Sequence, residues 1–432
     1  MLDLRFIRDN VELVRENLRR RRDDAKMDAF ERLLTLDEKV RLLKRELQSL
    51  RTERNKLSRE VGELKKSGAD PSAVMSRAND VNAAIAKNET ETTRLEEELK
   101  GILMAIPNLL HESVPYGVGE EGNEVVREWG GQPKFDFQVR SHVDLLDMLS
   151  LGDIPRAAKI AGARFYYLKN ELVILDLAMK QMALAMLAKK GFTPVYPPFM
   201  MHREPYEGVT DLADFQDVMY KIDDEDLYLI ATSEHPIAAM YMGEVFEPTD
   251  LPMKFAGIST CFRKEAGSHG KDTKGIFRVH QFDKVEQFVF SSPDESWRIH
   301  EELIANAEEF FQALKIPYRV VNICTGDIGT VAAKKYDLEM WMPGQGMYRE
   351  AVSCSNCTAY QATRLGIKYR LKKGGLEKAY LHTLNSTMMA NPRAMVAIME
   401  NCQTQDGSIV IPKALHKYLP PEIREIHPGS KS

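Results

Sequence analysis

A cation, an aromatic ring and a carboxylate follow one another at even spacing in one strand-like stretch. Arg278, Phe282 and Glu286 are each four residues apart, and side chains alternate between the two faces of a strand, so all three would share one face. Successive members would lie roughly 13 Å apart at about 3.3 Å per residue. Such a face suits a ligand with an anionic end, a flat ring and a cationic or hydroxylated end. An amphipathic strand with a solvated polar face is the alternative interpretation.

The residues around them predict an antiparallel hairpin with a long loop over residues 261–290. Both arms carry aromatic or β-branched residues at intervals, whereas the middle, 267–272, is too polar and glycine-rich to pack. His280 and Lys284 would lie on the face of Arg278. The opposite face would be a core face that carries Phe277, Val279, Val285 and Val289.

Two further stretches place oxygen-bearing side chains near predicted strands. Thr232 and Glu234 directly follow the apolar run 227–231, and a helix-like segment after them makes a simple helix cap an equal alternative. Glu350 and Ser353 are three residues apart. Strand alternation would place these two on opposite faces, so their spacing alone does not predict a shared site.

A cation also lies at the predicted start of a helix. Asn391 as N-cap and Pro392 as first helical residue begin this helix. Arg393 would then lie in the first turn, where the helix dipole disfavours a positive charge. This placement suggests an anionic partner for Arg393.

Several of these stretches resemble motifs of one family. The run FRKEAGS at 262–268, continued by RVHQF at 278–282 and KVE at 284–286, resembles motif 2 of the class II seryl-tRNA synthetases. Thr232-Ser233-Glu234 is similar to the family's serine-binding loop, and residues 350–353 are similar to its Glu-x-x-Ser. Residues 381–393 resemble its motif 3.

The chain departs from the family pattern at three positions near these motifs. Ala359 stands where the family usually has Asp, Thr363 where it has Arg, and Ser386 where it has Gly. These departures concern the local structure around the motifs and leave the catalytic positions unchanged.

The resemblance implies a serine–tRNA ligase. Such an enzyme condenses L-serine with ATP to seryl-adenylate, with Mg²⁺ as cofactor, and transfers serine to tRNA(Ser). It also suggests tRNA(Sec) as a second substrate, in a host that has one, and a homodimer.

The family's residue roles map onto this chain as follows. The catalytic group is Arg263, Glu350 and Arg393. The serine-binding group is Thr232, Ser233, Glu234, Arg263, Glu286, Asn385 and Thr387. The ATP-binding group is Arg263, Lys264, Glu265, Arg278, Phe282, Glu350, Ala351, Val352, Ser353 and Arg393. Magnesium would be held, together with ATP, by Glu350 and Ser353. A separate expectation comes from the loop between Lys264 and Gly275, which is glycine-rich and would lie beside the reacting phosphate: its Lys271 and Lys274 would meet the acceptor end of the tRNA.

Three other functions compete with this one. Another class II synthetase would need a different account of the N-terminal arm described next. A carrier-protein ligase derived from the family would be expected to lack that arm. An inactive RNA-binding relative is disfavoured because Arg263, Glu286, Glu350 and Arg393 are all retained.

The clearest periodicity in the chain predicts that arm. Apolar positions between residues 36 and 64, and again between 74 and 102, alternate in steps of four and three, as in a coiled coil. Lys66 to Ser72 supply a stop, a turn and a restart, so the two helices would form an antiparallel hairpin projecting about 40 Å. The polar seam members Arg54, Asn88 and Thr92 would meet near its middle. The pattern alone fits an oligomerisation device or spacer; the resemblance implies a tRNA-binding arm.

The remaining elements predict an α+β fold. A Met-rich apolar helix at 172–190, Gly191 and the proline-containing strand 192–198 are similar to motif 1, which implies a dimer interface, although a buried helix and edge strand would explain them equally well. The predicted architecture is a helix-flanked antiparallel β-sheet catalytic domain of class II type, preceded by the coiled-coil arm. We expect a tRNA-binding domain at 1–110 with its arm at about 28–104, a linker and domain entry at 111–150, and the catalytic domain at 151–432. Motifs 1, 2 and 3 would occupy about 172–198, 257–290 and 381–402.

Composition narrows the class of protein. The chain has 432 residues, a net charge of −5 and five cysteines, too few for a disulfide framework at this length. The C-x-x-C of Cys354 and Cys357 has no second pair and no nearby histidine cluster, which disfavours zinc or redox use. With no signal-like N-terminus and no long apolar run, a cytoplasmic protein is expected. Because the net charge is negative, RNA contact would depend on local basic surface.

Overall fold

The computed structural model describes residues 1–210, 218–265 and 274–429. These residues form two compact units, Met1–Pro107 and Asn108–Ser432. Within the described ranges, no helix is both long enough and apolar enough to cross a membrane.

All the regular secondary structure of the first unit is helical. Its helices are Leu4–Asp9, Val11–Arg21, Asp24–Ser67 and Ser72–Ala105. The side chain of Asp23 caps the third helix by accepting a hydrogen bond from Lys26 N, and Gly68 ends it in the left-handed region at φ 75°. At about 1.5 Å per residue, this 44-residue helix is about 66 Å long.

The two long helices form the predicted antiparallel hairpin. Ion pairs join Arg77 to Glu53 near the turn and Arg51 to Glu89 farther along, so that the chains run in opposite directions. Most of the second seam is buried: Val81, Ile85, Asn88, Thr92, Leu95 and Leu99. The first seam is more open, with Val40 and Leu57 as its buried members.

The predicted meeting of polar seam residues is wrong for Arg54. Asn88 Nδ2 donates to Glu46 Oε2 at 3.3 Å, and Thr92 Oγ1 donates to Asn88 Oδ1 at 3.2 Å. Arg54 is exposed. Because Asn88 reaches Glu46, which precedes Arg54 by eight residues, Arg54 lies about 12 Å farther along its helix.

The second unit is built on an eight-stranded sheet with the order β1-β8-β9-β10-β13-β7-β6-β2. All neighbours are antiparallel except β2 and β6. Its strands are β1 (Glu124–Trp129), β2 (Thr193–Val195), β6 (Met253–Phe262), β7 (Gln281–Ser291), β8 (Tyr318–Asn322), β9 (Lys334–Met342), β10 (Met347–Asn356) and β13 (His382–Ala390). The smaller sheets contain β3 (Met200–Met201), β4 (Tyr228–Leu229), β5 (Val245–Phe246), β11 (Lys368–Arg370), β12 (Lys378–Tyr380), β14 (Ile409–Val410) and β15 (Glu425–Ile426).

Helices flank this sheet, which confirms the predicted fold class. Glu171–Lys189, Pro293–Ala313 and Asn391–Asn401 contribute to the main apolar core. The other α-helices of the described ranges are His142–Met148, Ile154–Ala161, Arg203–Val209, Glu234–Ala239 and Tyr360–Leu365, and 3-10 turns cover Glu120–Gly122, Pro248–Asp250 and Lys413–Tyr418. Pro194 lies on the edge strand β2, as expected of a residue that cannot donate to a central ladder.

Two details differ from the sequence-based boundaries. Residues 111–150, expected to be a linker and domain entry, contribute β1 to the sheet edge and the helix His142–Met148. The helix at 391 begins one residue earlier than predicted: Ala390 is its N-cap and Asn391 its first residue. The side chain of Asn391 instead donates to Asp176, which ties the helix start to the helix Glu171–Lys189.

The predicted hairpin is formed by β6 and β7. Cys261 pairs with Phe282 and Gly257 with Glu286. Within β7 the alternation holds: Val285 and Val289 enter the main core, and Phe282, Lys284 and Glu286 line a cavity on the other face.

The alternation is wrong before Gln281, where the strand begins. Residues 277–279 are not in a regular strand, and Phe277 and Val279 line the same cavity as Arg278. Phe277 is also part of the main apolar core, as expected. His280 does not line that cavity; its Nδ1 lies 2.8 Å from Arg263 O.

Candidate active site

The cavity has a volume of about 440 Å³, in the range usual for small-molecule sites. Three strands, β7, β10 and β13, form much of its wall, together with the first turns of the helices Glu234–Ala239 and Asn391–Asn401. It therefore gathers residues from all the stretches that the sequence singled out.

Glu234 is held in this cavity by two amide groups. Gln361 Nε2 and Asn385 Nδ2 donate to its Oε1 at 2.9 and 3.0 Å. Burial and the nearby Glu286 carboxylate raise the pKa of Glu234 to about 7. Glu234 is therefore poised to bind a cation or to share a proton near neutral pH.

The loop before Glu234 also has a local structural role. Thr232 Oγ1 accepts a hydrogen bond from Glu234 N at 3.2 Å, but the N-cap of the helix is Ser233, whose side chain makes no capping bond. The capping alternative is therefore wrong for Thr232, which lies in the cavity wall. A Cβ atom on Gly257 would come within 2.6 Å of Ser233 Oγ. The glycine thus allows the loop to pack closely against β6.

Glu286 forms a second polar cluster on the cavity wall. Lys284 Nζ lies 2.6 Å from Glu286 Oε2, and Thr387 Oγ1 donates to the same oxygen at 3.3 Å. All three residues are buried. The ion pair compensates the burial of both charges and fixes the carboxylate towards β13.

Arg263 and Phe282 form a cation–π pair. Arg263 Nε donates to Ala231 O at 3.2 Å, and its guanidinium carbon lies 5.4 Å from the centre of the Phe282 ring. Nearby, Arg278 Nη1 pairs with Glu265 Oε2 at 2.8 Å. A planar ring and two guanidinium groups thus face the same cavity.

A β-bulge brings Glu350 and Ser353 into the same cavity. In β10, Glu350 pairs with Glu339 and Val352 with Leu338, so Ala351 is the extra residue. The bulge reverses the alternation, and both Glu350 and Ser353 line the cavity although they are three residues apart.

Arg393 neutralises Glu350. Arg393 Nη1 lies 3.3 Å from Glu350 Oε1 and donates to Glu350 O at 2.9 Å. Desolvation works to raise the pKa of Glu350, but the guanidinium of Arg393 and the ammonium of Lys335 hold it below its ordinary value. The anionic partner expected for Arg393 is thus supplied, in this structure, by a residue of the same site.

The carboxyl group of Asp337 also lies close to Glu350. Asp337 is opposite Ser353 in the register of β9 and β10. Burial, opposed by Lys335 and increased by Glu350, raises the pKa of Asp337 to about 7.

The structure brings together most of the residues named from the sequence. Those that line the cavity are Thr232, Glu234, Arg263, Glu265, Arg278, Phe282, Glu286, Glu350, Ala351, Ser353, Asn385, Thr387 and Arg393. Ser233 is fully buried outside the lining, and Val352 lies in the main core. Lys264 is also outside the lining, and its backbone N–H donates to Val218 O. Lys274 is exposed, whereas Lys271 lies outside the described residues.

Sequence reasoning missed several residues of this site. Lys284 had a usable signal because it shares the strand parity of Phe282 and Glu286, yet it was not assigned a role. Gln361 reaches Glu234 from the helix Tyr360–Leu365, across a distance in sequence that no local pattern reveals. The backbone stretch 328–332 also lines the cavity and had no chemical signal.

The C-x-x-C pair shows no arrangement for metal binding. Cys354 and Cys357 are both free and buried, and Cys357 Sγ lies 3.6 Å from Asn385 Nδ2. Among the described residues, no group of three or more His, Cys, Asp or Glu side chains is arranged to hold a metal ion.

Family models match both units of the chain. Residues 1–110 match the seryl-tRNA synthetase N-terminal domain. Residues 219–402 match the tRNA synthetase class II core domain of the G, H, P, S and T group.

Relatives that match nearly the whole chain are named serine–tRNA ligase or seryl-tRNA synthetase. The serine–tRNA ligase of Methanocella arvoryzae is 54% identical over 419 residues, covering 97% of this chain and 99% of the relative. The crystal structure of seryl-tRNA synthetase from Pyrococcus horikoshii complexed with ATP is 49% identical with a TM-score of 0.93, covering 99% of this chain and 100% of the other. The cytoplasmic serine-tRNA ligase from Naegleria fowleri in complex with AMP is 39% identical with a TM-score of 0.86, covering 97% and 96%.

Proposed function

The chain belongs to the seryl-tRNA synthetase family, and we propose that its cavity binds serine beside ATP, forms seryl-adenylate and delivers the seryl group to tRNA(Ser). One observation carries the proposal: four carboxylates, three arginines and the ring of Phe282, drawn from four separate motifs, line a single cavity. These groups suit the binding of a zwitterionic amino acid together with a nucleoside triphosphate.

Serine would bind where the two carboxylate clusters lie. Glu234, with Thr232 and Asn385, would bind the ammonium group of serine. Glu286 and Thr387 would bind the hydroxyl group, and Lys284 holds Glu286 in place. A site that hydrogen-bonds a hydroxyl rejects alanine strongly, because its buried polar groups would be left unpaired.

ATP would lie along the arginines. The ring of Phe282 would stack on adenine, with Glu265 fixing the purine or the loop. Arg278 and Arg393 would contact the outer phosphates. Arg263 would bridge the α-phosphate and the serine carboxylate, aided by its bond to Ala231 O, which fixes the direction of the guanidinium group.

Adenylate formation needs no side-chain nucleophile. The serine carboxylate attacks the α-phosphorus in line, the bond to the β-phosphate oxygen breaks, and pyrophosphate leaves. Both reactants are anionic, so orientation and charge neutralisation lower the barrier. A hydroxyl of the terminal adenosine of tRNA then attacks the seryl carbonyl carbon and AMP leaves.

Glu350 and Ser353 fit a role in holding Mg²⁺ with ATP. The bulge at Ala351 turns both towards the cavity, and carboxylate and hydroxyl oxygens are suitable ligands for a hard cation. Bound there, the cation would neutralise phosphate charge. Arg393 would then exchange part of its contact with Glu350 for phosphate.

The helical arm would bind tRNA. Its exposed surface carries many Lys and Arg side chains, including Arg45, Lys56 and Arg59, which suit contacts to phosphate and sugar. The loop that ends at Lys274 would meet the acceptor end of the tRNA. Transfer to tRNA(Sec) and a cytoplasmic location are further expectations from the family.

A homodimer would bury the apolar surface at the β2 edge of the sheet. Val173 and Leu177 are exposed one turn apart on the helix Glu171–Lys189, and Tyr196 is exposed just after β2. Apolar side chains grouped in this way are typical of an interface.

Amino-acid-dependent pyrophosphate exchange, followed by charging of total tRNA, tests the proposal. Exchange should occur with serine and not with alanine or threonine, and charging should follow with serine. Absence of serine-dependent exchange would exclude the enzyme, and exchange without charging would favour a ligase that uses another acceptor.

A further inference from the structure

Glu234 is connected to a chain of buried hydrogen bonds that begins on β13. Thr383 Oγ1 donates to Gln361 Oε1 at 2.6 Å, and Gln361 Nε2 donates to Glu234 Oε1 at 2.9 Å. Thr383 and Gln361 are both fully buried, and neither lines the cavity. They therefore act on a ligand only through Glu234.

This chain permits only one orientation of the Gln361 amide. Its nitrogen donates to Glu234 Oε1 and also to Val209 O at 2.9 Å, while its oxygen accepts from Thr383. A 180° flip would place the amide oxygen against two other acceptor oxygens. The hydroxyl of Thr383 stabilises the orientation that presents N–H to Glu234.

The second amide on Glu234 is fixed differently. Asn385 Nδ2 donates to Glu234 Oε1 at 3.0 Å and lies 3.6 Å from Cys357 Sγ, a weak acceptor. Both amides thus bind the same oxygen, Oε1. Among the described residues, the other carboxylate oxygen, Oε2, has no hydrogen-bond donor, so it is available to a ligand.

We propose that Gln361 and Thr383 are positioning residues for amino-acid recognition, which hold Glu234 so that Oε2 points to the ammonium group of the bound amino acid. This inference rests on the proposed function. It adds that the position of the Glu234 carboxylate depends on the hydroxyl group of Thr383, which lies outside the cavity. ATP recognition, which uses other residues, does not depend on it.

Thr383→Val and Thr383→Ser form a matched pair of variants. Valine keeps the size and branching of threonine but removes the donor, and serine keeps the donor. In serine-dependent pyrophosphate exchange, Thr383→Val should raise the KM for serine by about ten-fold or more, as expected for a lost hydrogen bond in a charged network. Its KM for ATP should stay within about two-fold of the wild-type value, and Thr383→Ser should keep the wild-type KM for serine.

Three outcomes would overturn the inference. These are an unchanged KM for serine in Thr383→Val, an equal rise in both KM values, or a Thr383→Ser variant as impaired as Thr383→Val. Wild-type protein without serine-dependent exchange would instead refute the proposed function itself.

Gln361→Met provides a second route if Thr383→Val fails to fold. Methionine matches the length of glutamine and removes the donor to Glu234, so the KM for serine should rise at least as far as in Thr383→Val while the KM for ATP is unchanged. Thermal unfolding of each variant identifies loss of fold. A folded Gln361→Met variant with a wild-type KM for serine would contradict the role of Gln361.

Discussion

At the scale of single residues, burial and ligand binding favour opposite protonation states of the Glu234 carboxyl group. Burial and Glu286 favour its neutral form, with a pKa of about 7, whereas an ammonium ligand requires the carboxylate. The neighbouring His235 contributes no charge near neutrality, because burial lowers the pKa of its imidazole to about 3. Ligand binding and folding should therefore depend on pH in opposite ways at this residue.

Glu234→Gln should become more stable relative to the wild-type protein as pH rises. The folded-state pKa of Glu234 lies above its ordinary value of 4.5, so the folded protein binds more protons than the unfolded chain between about pH 4.5 and 7. Its contribution to wild-type stability is therefore lost as pH rises through this window. Glutamine does not ionise and removes that loss.

Thermal unfolding from pH 5 to 8.5 measures this effect. The difference in Tm, variant minus wild type, should increase up to about pH 7 and then level off. Thr193→Val, on the exposed part of the edge strand β2, is a control that should give a constant difference. A constant difference for Glu234→Gln as well would mean that Glu234 has an ordinary pKa in the folded state.

At the scale of elements, regular periodicity was predictable and its interruptions were not. Alternation correctly placed Phe282, Lys284 and Glu286 on one face of β7, because those residues lie inside a regular strand. The same rule separated Glu350 from Ser353, since no residue type announces the bulge at Ala351. Only the resemblance predicted that they share a site.

In the helical hairpin, too, the helices were predictable from the sequence and their register was not. Its seams predicted two antiparallel helices, but a seam does not state which residues lie opposite one another. The register depends on inter-helix ion pairs such as Arg77 with Glu53 and Arg51 with Glu89. In this structure Asn88 contacts Glu46, eight residues before Arg54.

Replacing residues 36–102 by a short glycine-rich linker should separate the two half-reactions. Serine-dependent pyrophosphate exchange should stay within about three-fold of the full-length value, because the proposed serine and ATP contacts all lie in Asn108–Ser432. Charging of tRNA(Ser) should fall by more than about a hundred-fold, a loss of ~3 kcal/mol. Steady-state rates of both reactions measure the effect.

The salt dependence of charging is the internal control for this deletion. Full-length protein should charge tRNA less efficiently as salt rises, since phosphate contacts release counterions, and the deletion variant should show a weaker dependence. An equal loss of exchange and charging would mean that the arm is needed for the fold of the protein.

At the scale of the whole molecule, the main sheet has two unequal edges. β1 carries a bulge between Val125 and Arg127, a feature that discourages further strand pairing. The other edge, β2, contains Pro194 and contacts the helix Glu171–Lys189, on which Val173 and Leu177 are exposed. An interface between two copies of the chain is therefore expected at the β2 edge.

Leu177→Glu should convert a dimer into a monomer. Leu177 is 55% exposed in the single chain, and a carboxylate at the same place would have to be buried without a partner in a dimer, which is costly. Val126→Glu, at the exposed β1 edge, is the matched control and should leave the dimer intact. Light scattering coupled to size-exclusion chromatography should give about twice the 49.2 kDa chain mass for wild type and control, and about one chain mass for Leu177→Glu. A wild-type monomer, or a dimer unaffected by Leu177→Glu but lost in Val126→Glu, would refute this assignment of the interface.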